Sequence, residues 1–323
     1  VGTWADYEAA LKHVFYINAN PDPIVHDRTI TVVVKDGGDT TATDDKLDSN
    51  IATTTIHMPW APVIDLDGTM SSGRAYATSF TEGGAGTDVA YDNATVTDQD
   101  GNIKSLTLTL TNPTDDSAGN LEKLHIDASF ITTLSGLGIT TTNNDSHAIT
   151  FTGNTDTTYF NLALRNVQYI NTSENPSITP RIVTVSAIDQ NDNPSVSANT
   201  TINVIPVNDA PVLLGDYAST LYEGALYTLT TADLSGSDVD DSDATLEYLV
   251  TTATANGTLF RDTNGNGEVD SAEALGLNAT FTKAQIDAGL IKYRHNGGES
   301  ASDTFNFTLR DGQEDAAVMP TGT

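Results

Sequence analysis

Residues 182–192 read IVTVSAIDQND: apolar side chains alternate with small or polar ones, and the run stops on Asp189. A period of two places every other side chain on one face, which marks a half-buried strand. The same design recurs in TITVVVKDGG (29–38), reaching Asp36, and in TFNFTLRDGQ (304–313), reaching Asp311. In the first two of these three places a further strand-like run leads to a proline boundary. These runs are TTTIHMPWAPVID, with Pro62, and TTINVIPVNDAPVL, with Pro211.

Upstream of each run lies another recurring stretch: YEAALKHVFYINANPDP (7–23), FNLALRNVQYINTSENP (160–176) and AQIDAGLIKYRHNGGES (284–300). The spacing predicts a short helix and then a strand in every copy. Thr3 to Asp6 and Thr282 to Gln285 read as capping boxes, with Gly289 as a helix stop. The segments 81–101 and 222–243 also correspond, Glu82 standing 16 residues before Asp98 and Glu223 standing 15 before Asp238. The chain therefore divides into the rear part of one repeat (1–62), a complete repeat (63–211) and a third repeat (212–323) without its last strand. Short strands separated by turn signals, in a chain rich in Thr, Val, Asn, Asp and Gly, point to an all-β protein. The expected architecture is tandem immunoglobulin-like Greek-key β-sandwiches, each with one short helix.

With 44 acidic against 14 basic residues, the net charge is −30. That field repels nucleic acid. Absence of cysteine excludes disulfides, thiolate metal sites and thiol catalysis. No apolar run is long enough for a spanning helix, so no membrane insertion is expected. The start at Val1, with neither initiator Met nor signal peptide, reads as a piece of something longer. The six histidines are scattered, and neither HExxH nor GxSxG occurs. The reading is a protein that is not an enzyme.

So much negative charge suits either a solvated surface or a set of divalent-ion ligands. The stretch DTNGNGEVDSAE (262–273) has the spacing of an EF-hand calcium loop: Asp262 at position 1, Asn264 at 3 and Asn266 at 5. Gly267 follows at 6, Glu268 at 7, Asp270 at 9 and Glu273 at 12. The residues before it, NGTLFR, read as a strand, so the loop is expected inside the third sandwich and not between helices. Greek-key strand directions also bring acids together at the sandwich poles. Asp98 and Asp100 are expected near Asp189 and the linker acids Asp65 and Asp67. Asp238, Asp240 and Asp311 are expected at the linker Asn208 and Asp209, with Glu82 approaching from the other side and Glu223 as its counterpart in the third repeat. GGAGTDVAY (83–91) nearly fits a calcium nonapeptide, but a single copy with Ala90 at its apolar position reads as coincidence.

An early Glu, a DxD pair about 16 residues later, a late Asp and the linker Asn208-Asp209-Ala210-Pro211 resemble the cadherin-type calcium-bridged repeat. The chain is similar to cadherin-like repeats of giant bacterial surface proteins, RTX adhesins included. FTKAQIDAGLIKYRHNGGESASDTFNFTLRDG (281–312) is similar to the repeat of chondroitin-sulfate-proteoglycan-type surface proteins. Two departures stand out. DQNDNP (189–194) imitates a cadherin linker but precedes the last strand, and the mid-domain Asp-Arg-Glu motif has no counterpart. One or two ions per junction are therefore expected, not three. The resemblance implies Ca²⁺ as the bound ion and an extracellular, cell-surface stalk that projects an adhesin's binding tip. Its partners would be calcium, neighbouring repeats, and a surface glycan or protein. Two alternatives accompany it: a ligand-binding domain using the long stretch 127–150, and a self-assembling fibre or surface layer completed by a neighbour's strand.

Overall fold

The structure is a computed structural model. It describes residues 3–17, 27–35, 49–56, 60–69, 74–99, 101–116, 121–312 and 321–322. Two separate hydrophobic cores organise it. One is built from residues between Ile64 and Val204, the other from residues between Leu229 and Leu309.

The leading unit holds α1 (Trp4–Leu11) and two antiparallel strands, β1 (Arg28–Val32) and β2 (Ala52–Ile56). The backbone N–H and hydroxyl of Thr3 both donate to the Asp6 carboxylate, at 2.6 and 2.8 Å, tying down the helix start. The strand expected after this helix does not form. Val14, Phe15 and Ile17 are 65%, 77% and 83% exposed. A strand needs a hydrogen-bonded neighbour, and among the described residues this unit offers none at that place.

In the middle unit come β3 (Val63–Asp65), β4 (Tyr76–Thr81), β5 (Thr87–Asp88), β6 (Thr95–Thr97), β7 (Ile103–Leu110) and β8 (Glu122–His125). Then follow α2 (Ala128–Gly136), β9 (Thr140–Thr142), β10 (Ala148–Thr155), α3 (Thr157–Arg165), β11 (Gln168–Asn171), β12 (Arg181–Asp189) and β13 (Ala198–Ile205). A six-stranded sheet, β4-β13-β12-β7-β10-β9, and a three-stranded sheet, β5-β11-β8, sandwich the core. All their pairings are antiparallel except β4 beside β13. Phe80 and Tyr169 meet edge to face, with ring centres 5.4 Å apart. The stretch 127–150 adds a second helix, α2, to the one expected, and seats it through buried Leu134.

One feature of this unit has no sequence pattern to announce it. Arg181, the first residue of β12, is fully buried. Its Nε and Nη2 donate to Glu122 Oε1 at 2.9 and 2.5 Å, and Nη2 also reaches Asp115 Oδ2 at 2.5 Å. Nη1 donates to the carbonyl of Ser177 at 3.0 Å. A buried guanidinium is tolerated only when its donors are matched in this way. The clamp fixes the loop between β11 and β12, which carries Glu174.

The third unit repeats the plan with β14 (Val212–Leu214), β15 (Leu226–Thr228), β16 (Ser235–Ser237), β17 (Glu247–Thr252) and β18 (Gly257–Arg261). After them come β19 (Thr280–Thr282), α4 (Lys283–Asp287), β20 (Ile291–His295), β21 (Asn306–Arg310) and β22 (Thr321–Gly322). Its sheets are β19-β17-β21-β22 and β15-β20-β18. The capping box of α4 closes as expected, Thr282 N–H reaching Gln285 Oε1 at 3.1 Å and Gln285 N–H reaching Thr282 Oγ1 at 3.3 Å. Tyr248 stacks on Phe281 at 5.1 Å and meets Phe307 edge-on at 5.7 Å.

The two sandwiches differ at one edge. Residues 217–222, YASTLY, correspond to β4, YATSFT, but form no strand. β4 pairs with β13, which spans eight residues, whereas among the described residues β22 pairs with Phe307 and Thr308 of β21. A cavity of about 360 Å³ opens there, lined by Tyr217, Leu221, Leu229, Leu234, Asp303 and Phe307.

Candidate metal centre

Between the middle and third units, the end of β4, the loop after β11 and the linker after β13 meet two loops of the third unit. Val207 N–H donates to Glu82 Oε2 at 2.8 Å, and Asp209 N–H donates to Asp240 Oδ2 at 2.8 Å. Asn208 Nδ2 donates to Asp311 Oδ2 at 3.0 Å. Asp238 Oδ1 accepts the N–H groups of Asp240 and Asp241 at 2.8 and 2.9 Å. Directly across the junction, Asn175 Nδ2 donates to the Val239 carbonyl at 2.8 Å. One carboxylate oxygen from each of Glu82, Glu174 and Asp209 lies within 4.8 Å of the others.

The electrostatics of this cluster are unfavourable as it stands. Burial holds the Glu82 carboxyl above its ordinary value, and the charges of Asp240, Asp209 and Glu174 push the same way. Asp209 is raised by burial and then by Glu174 and Asp238. Asp240 is raised by burial and by Asp209, Asp238 and Asp241, against one opposing backbone hydrogen bond. Glu82 Oε1 and Asp238 Oδ2 are enclosed and accept no hydrogen bond. Among the described residues, no ion pair joins Glu82, Glu174, Asp209, Asp238 or Asp240 to a basic side chain. Carboxylates that repel one another and keep bare, enclosed oxygens fit a hard cation with oxygen ligands. Glu174 was absent from the sequence-derived set. Its signal was the Pro-bearing loop that ends the 160–176 repeat, at the pole where the linker arrives.

At the other linker the acids turn onto their own loops. Asp65 Oδ1 accepts the N–H groups of Asp67 and Gly68 at 3.3 and 3.0 Å. Asp67 Oδ1 accepts the Thr69 N–H and hydroxyl at 3.0 and 2.8 Å. Asp189 is fully buried and accepts from Asn191 N–H, Asn193 N–H and Asn193 Nδ2 at 2.8, 2.7 and 2.8 Å. Among the described residues, Asp65, Asp67, Asp98 and Asp189 do not supply three mutually close ligand oxygens. Asp65, Asp67 and Asp189 each accept backbone N–H groups of their own loops, as Asp238 does at the second junction. Asp36 and Asp100 lie outside the described residues. Glu223 is exposed in the turn before β15 and borders the cavity. In GGAGTDVAY, Asp88 accepts from Gln168 Nε2 at 3.0 Å and Ala90 joins the core, so the segment is a turn entering β5.

Residues 262–273 form a ring closed by strand pairing. Arg261 N–H donates to the Glu273 carbonyl at 2.8 Å and Leu275 N–H to the Leu259 carbonyl at 2.7 Å. The structure assigns no helix to the residues on either side. Gly265 and Gly267 hold φ of +73° and +71°, and the second is the sharp turn the loop requires. Asp262 Oδ2 accepts Gly267 N–H at 3.0 Å across the ring. Glu273 Oε1 accepts the Thr263 N–H and hydroxyl at 2.8 and 2.5 Å. Asn264 and Asn266 donate their amides to Asp270 Oδ2 at 2.7 and 3.2 Å. Two cations from β20 reach in. Lys292 Nζ bonds Asp262 Oδ2 at 2.6 Å, while Arg294 donates to the Gly267 carbonyl and pairs with Glu268 at 3.3 Å. The Lys292 hydrogen bond is the main reason the Asp262 carboxyl lies below its ordinary value.

Residues 211–320, which span the third unit, match the family model described as Cadherin-like. The chain is 26% identical over 166 residues to the extracellular matrix organizing protein FRAS1 of Homo sapiens, an overlap of 51% of this chain and 4% of that one. It is 32% identical over 113 residues to chondroitin sulfate proteoglycan 4 of Mus musculus, covering 35% of this chain and 4% of the relative. The chain thus spans about 4% of the length of these curated relatives. Among solved structures, a crystal structure of Drosophila N-cadherin EC1-4 aligns over 93% of this chain and 56% of that chain, with 15% identity and a TM-score of 0.35. Among the described residues, no helix is long and apolar enough to cross a membrane.

Proposed function

We propose that this chain is a non-enzymatic extender from a large extracellular, cell-surface adhesin of the bacterial type, and that calcium stiffens it at the junction between its middle and third units. The observation that carries the reading is the convergence of Glu82, Glu174 and Asp209 on one point between two cores. Asn208, Asp238, Asp240 and Asp311 complete an all-oxygen set around the linker. Ca²⁺ accepts six to eight such ligands in loose geometry, whereas Mg²⁺ demands a tighter octahedron. When bound, the ion supplies the positive charge that cancels the mutual repulsion. The chain's own part is to hold carboxylates from two domains and their linker on a common centre, so that bending separates ligands from the ion. Partners are then calcium, adjoining repeats and, through the longer protein, a surface glycan or protein. Small-angle scattering with calcium and with EDTA tests the idea: the largest dimension should shrink or broaden when the ion is removed. An unchanged profile contradicts it.

The cavity of about 360 Å³ beside residues 217–222 favours one second reading, the addition of a neighbouring copy's strand there as in a fibre. It predicts concentration-dependent assembly in calcium, and a clean monomer by sizing would count against it.

A further inference from the structure

We propose that the ring 262–273 is a second, independent divalent-cation site of calcium type, at which the ion competes with the ammonium of Lys292 for the Asp262 carboxylate. The proposal shares no residue with the junction and does not rest on it. Asp262 and Glu273 are 1% and 7% exposed, yet Asp262 Oδ1 and Glu273 Oε2 accept no hydrogen bond. Their partner oxygens are anchored to Gly267 and Thr263, so both carboxylates stand within the ring. A buried carboxylate oxygen without a donor is unfavourable unless a cation approaches it. The two bare oxygens belong to positions 1 and 12, the first and last ligands of the calcium loop.

The remaining ring groups supply more oxygen. Asn264 and Asn266 sit at positions 3 and 5, with amide oxygens now accepting the N–H groups of Asn266 and Glu268 at 2.9 and 2.7 Å. Their amide nitrogens converge on exposed Asp270 at position 9. Glu268 at position 7 ligates in such loops through its carbonyl, and its side chain is directed away, towards Arg294. The set contains neither nitrogen nor sulfur ligands, which selects a hard cation.

Lys292 distinguishes this ring from an ordinary calcium loop. β20 pairs with β18, Lys292 opposite Phe260, and this register delivers the ammonium to the carboxylate at the mouth of the ring. A divalent ion on Oδ1 would be repelled by an ammonium held on Oδ2. At the dielectric of a protein surface this costs roughly tenfold or more in affinity. The expected dissociation constant is then on the order of 10⁻⁴–10⁻³ M, the range of extracellular modules. Because β-pairing closes the ring and neither side is helical, binding tightens the β18–β20 edge and opens no groove.

Calorimetric titration of the full chain with Ca²⁺ tests the proposal. One class of sites should vanish in Glu273→Gln and persist in the junction double variant Glu82→Gln/Asp209→Asn. Lys292→Gln should tighten that same class roughly tenfold. Should Glu273→Gln fail to fold by circular dichroism, the exposed-site variant Asp270→Ala should weaken the class instead. A folded Glu273→Gln protein that keeps every site overturns the proposal, as does an Asp270→Ala protein that binds like wild type. Unchanged or weaker binding in Lys292→Gln overturns the competition.

Discussion

The junction around Asp209 and the ring around Asp262 both crowd carboxylates together, but they balance the charge differently. The ring carries its own cations: Lys292 and Arg294 come from the neighbouring strand, and the Asp262 carboxyl is held low. The junction has no ion pair from a basic side chain to Glu82, Glu174, Asp209, Asp238 or Asp240 among the described residues, and its Glu82, Asp209 and Asp240 carboxyls are all held high. Backbone pairing also closes the ring, whereas the junction joins two separate cores. A site with internal charge balance can stay ordered alone. One without it depends on an external ion for its geometry.

The largest expected effect follows at the junction. Asp209→Ala removes both a member of the close triad and a repelling charge, and should raise the calcium concentration needed for stiffening by roughly a hundredfold. Calcium titration followed by scattering or by fluorescence transfer between the domains measures it. A midpoint shared with wild type would remove Asp209 from the site. Next in size, Lys292→Met should make the ring behave like the junction. Without calcium, the third domain should melt several degrees lower, and saturating calcium should restore it. Differential scanning calorimetry reads both. A loss that calcium does not repair would mean Lys292 acts through packing alone.

Acidity should separate the two regions by sign. Without calcium, the raised carboxyls of Glu82, Asp209 and Asp240 favour the assembled junction below their ordinary values. That contribution is lost as pH rises through the raised ones. Asp262, held low, contributes above its ordinary value and loses that contribution as pH falls through the lowered one. Mild acidification in EDTA should therefore compact the junction before it loosens the ring, and with calcium present it should instead release the junction ion. Amide exchange at Val207 and Gly267 across a pH series follows the two separately. The smallest effect belongs to Glu223→Gln, which is exposed and should leave both calcium classes within measurement error. A shift at either would add Glu223 to a site.

Much of this arrangement is legible in the sequence because it is periodic or local. Alternation marks β12, β13 and β21, the capping box marks α4, and the ring's spacing names its residues before any fold is known. What escaped depends on tertiary pairing. Among the described residues, Val14–Ile17 has strand-like alternation but no neighbour to pair with, and residues 217–222 repeat the β4 pattern without forming a strand. Glu174 enters the junction because buried Arg181, on Glu122 and Asp115, fixes the loop that carries it. Lys292 reads as an outward residue of IKYRH until the β18–β20 register sets it against Asp262. The acids Asp65, Asp67 and Asp189 fit the same spacing rule as the junction ligands, and each accepts hydrogen bonds from its own loop.

Small-angle scattering of the whole chain, in calcium and then in EDTA at fixed ionic strength, tests the central claim most directly. An extended profile with calcium that shortens or broadens on chelation, and does so no longer in Glu82→Gln/Asp209→Asn, is the result expected. Superimposable profiles in calcium and EDTA for the wild-type chain would contradict the account.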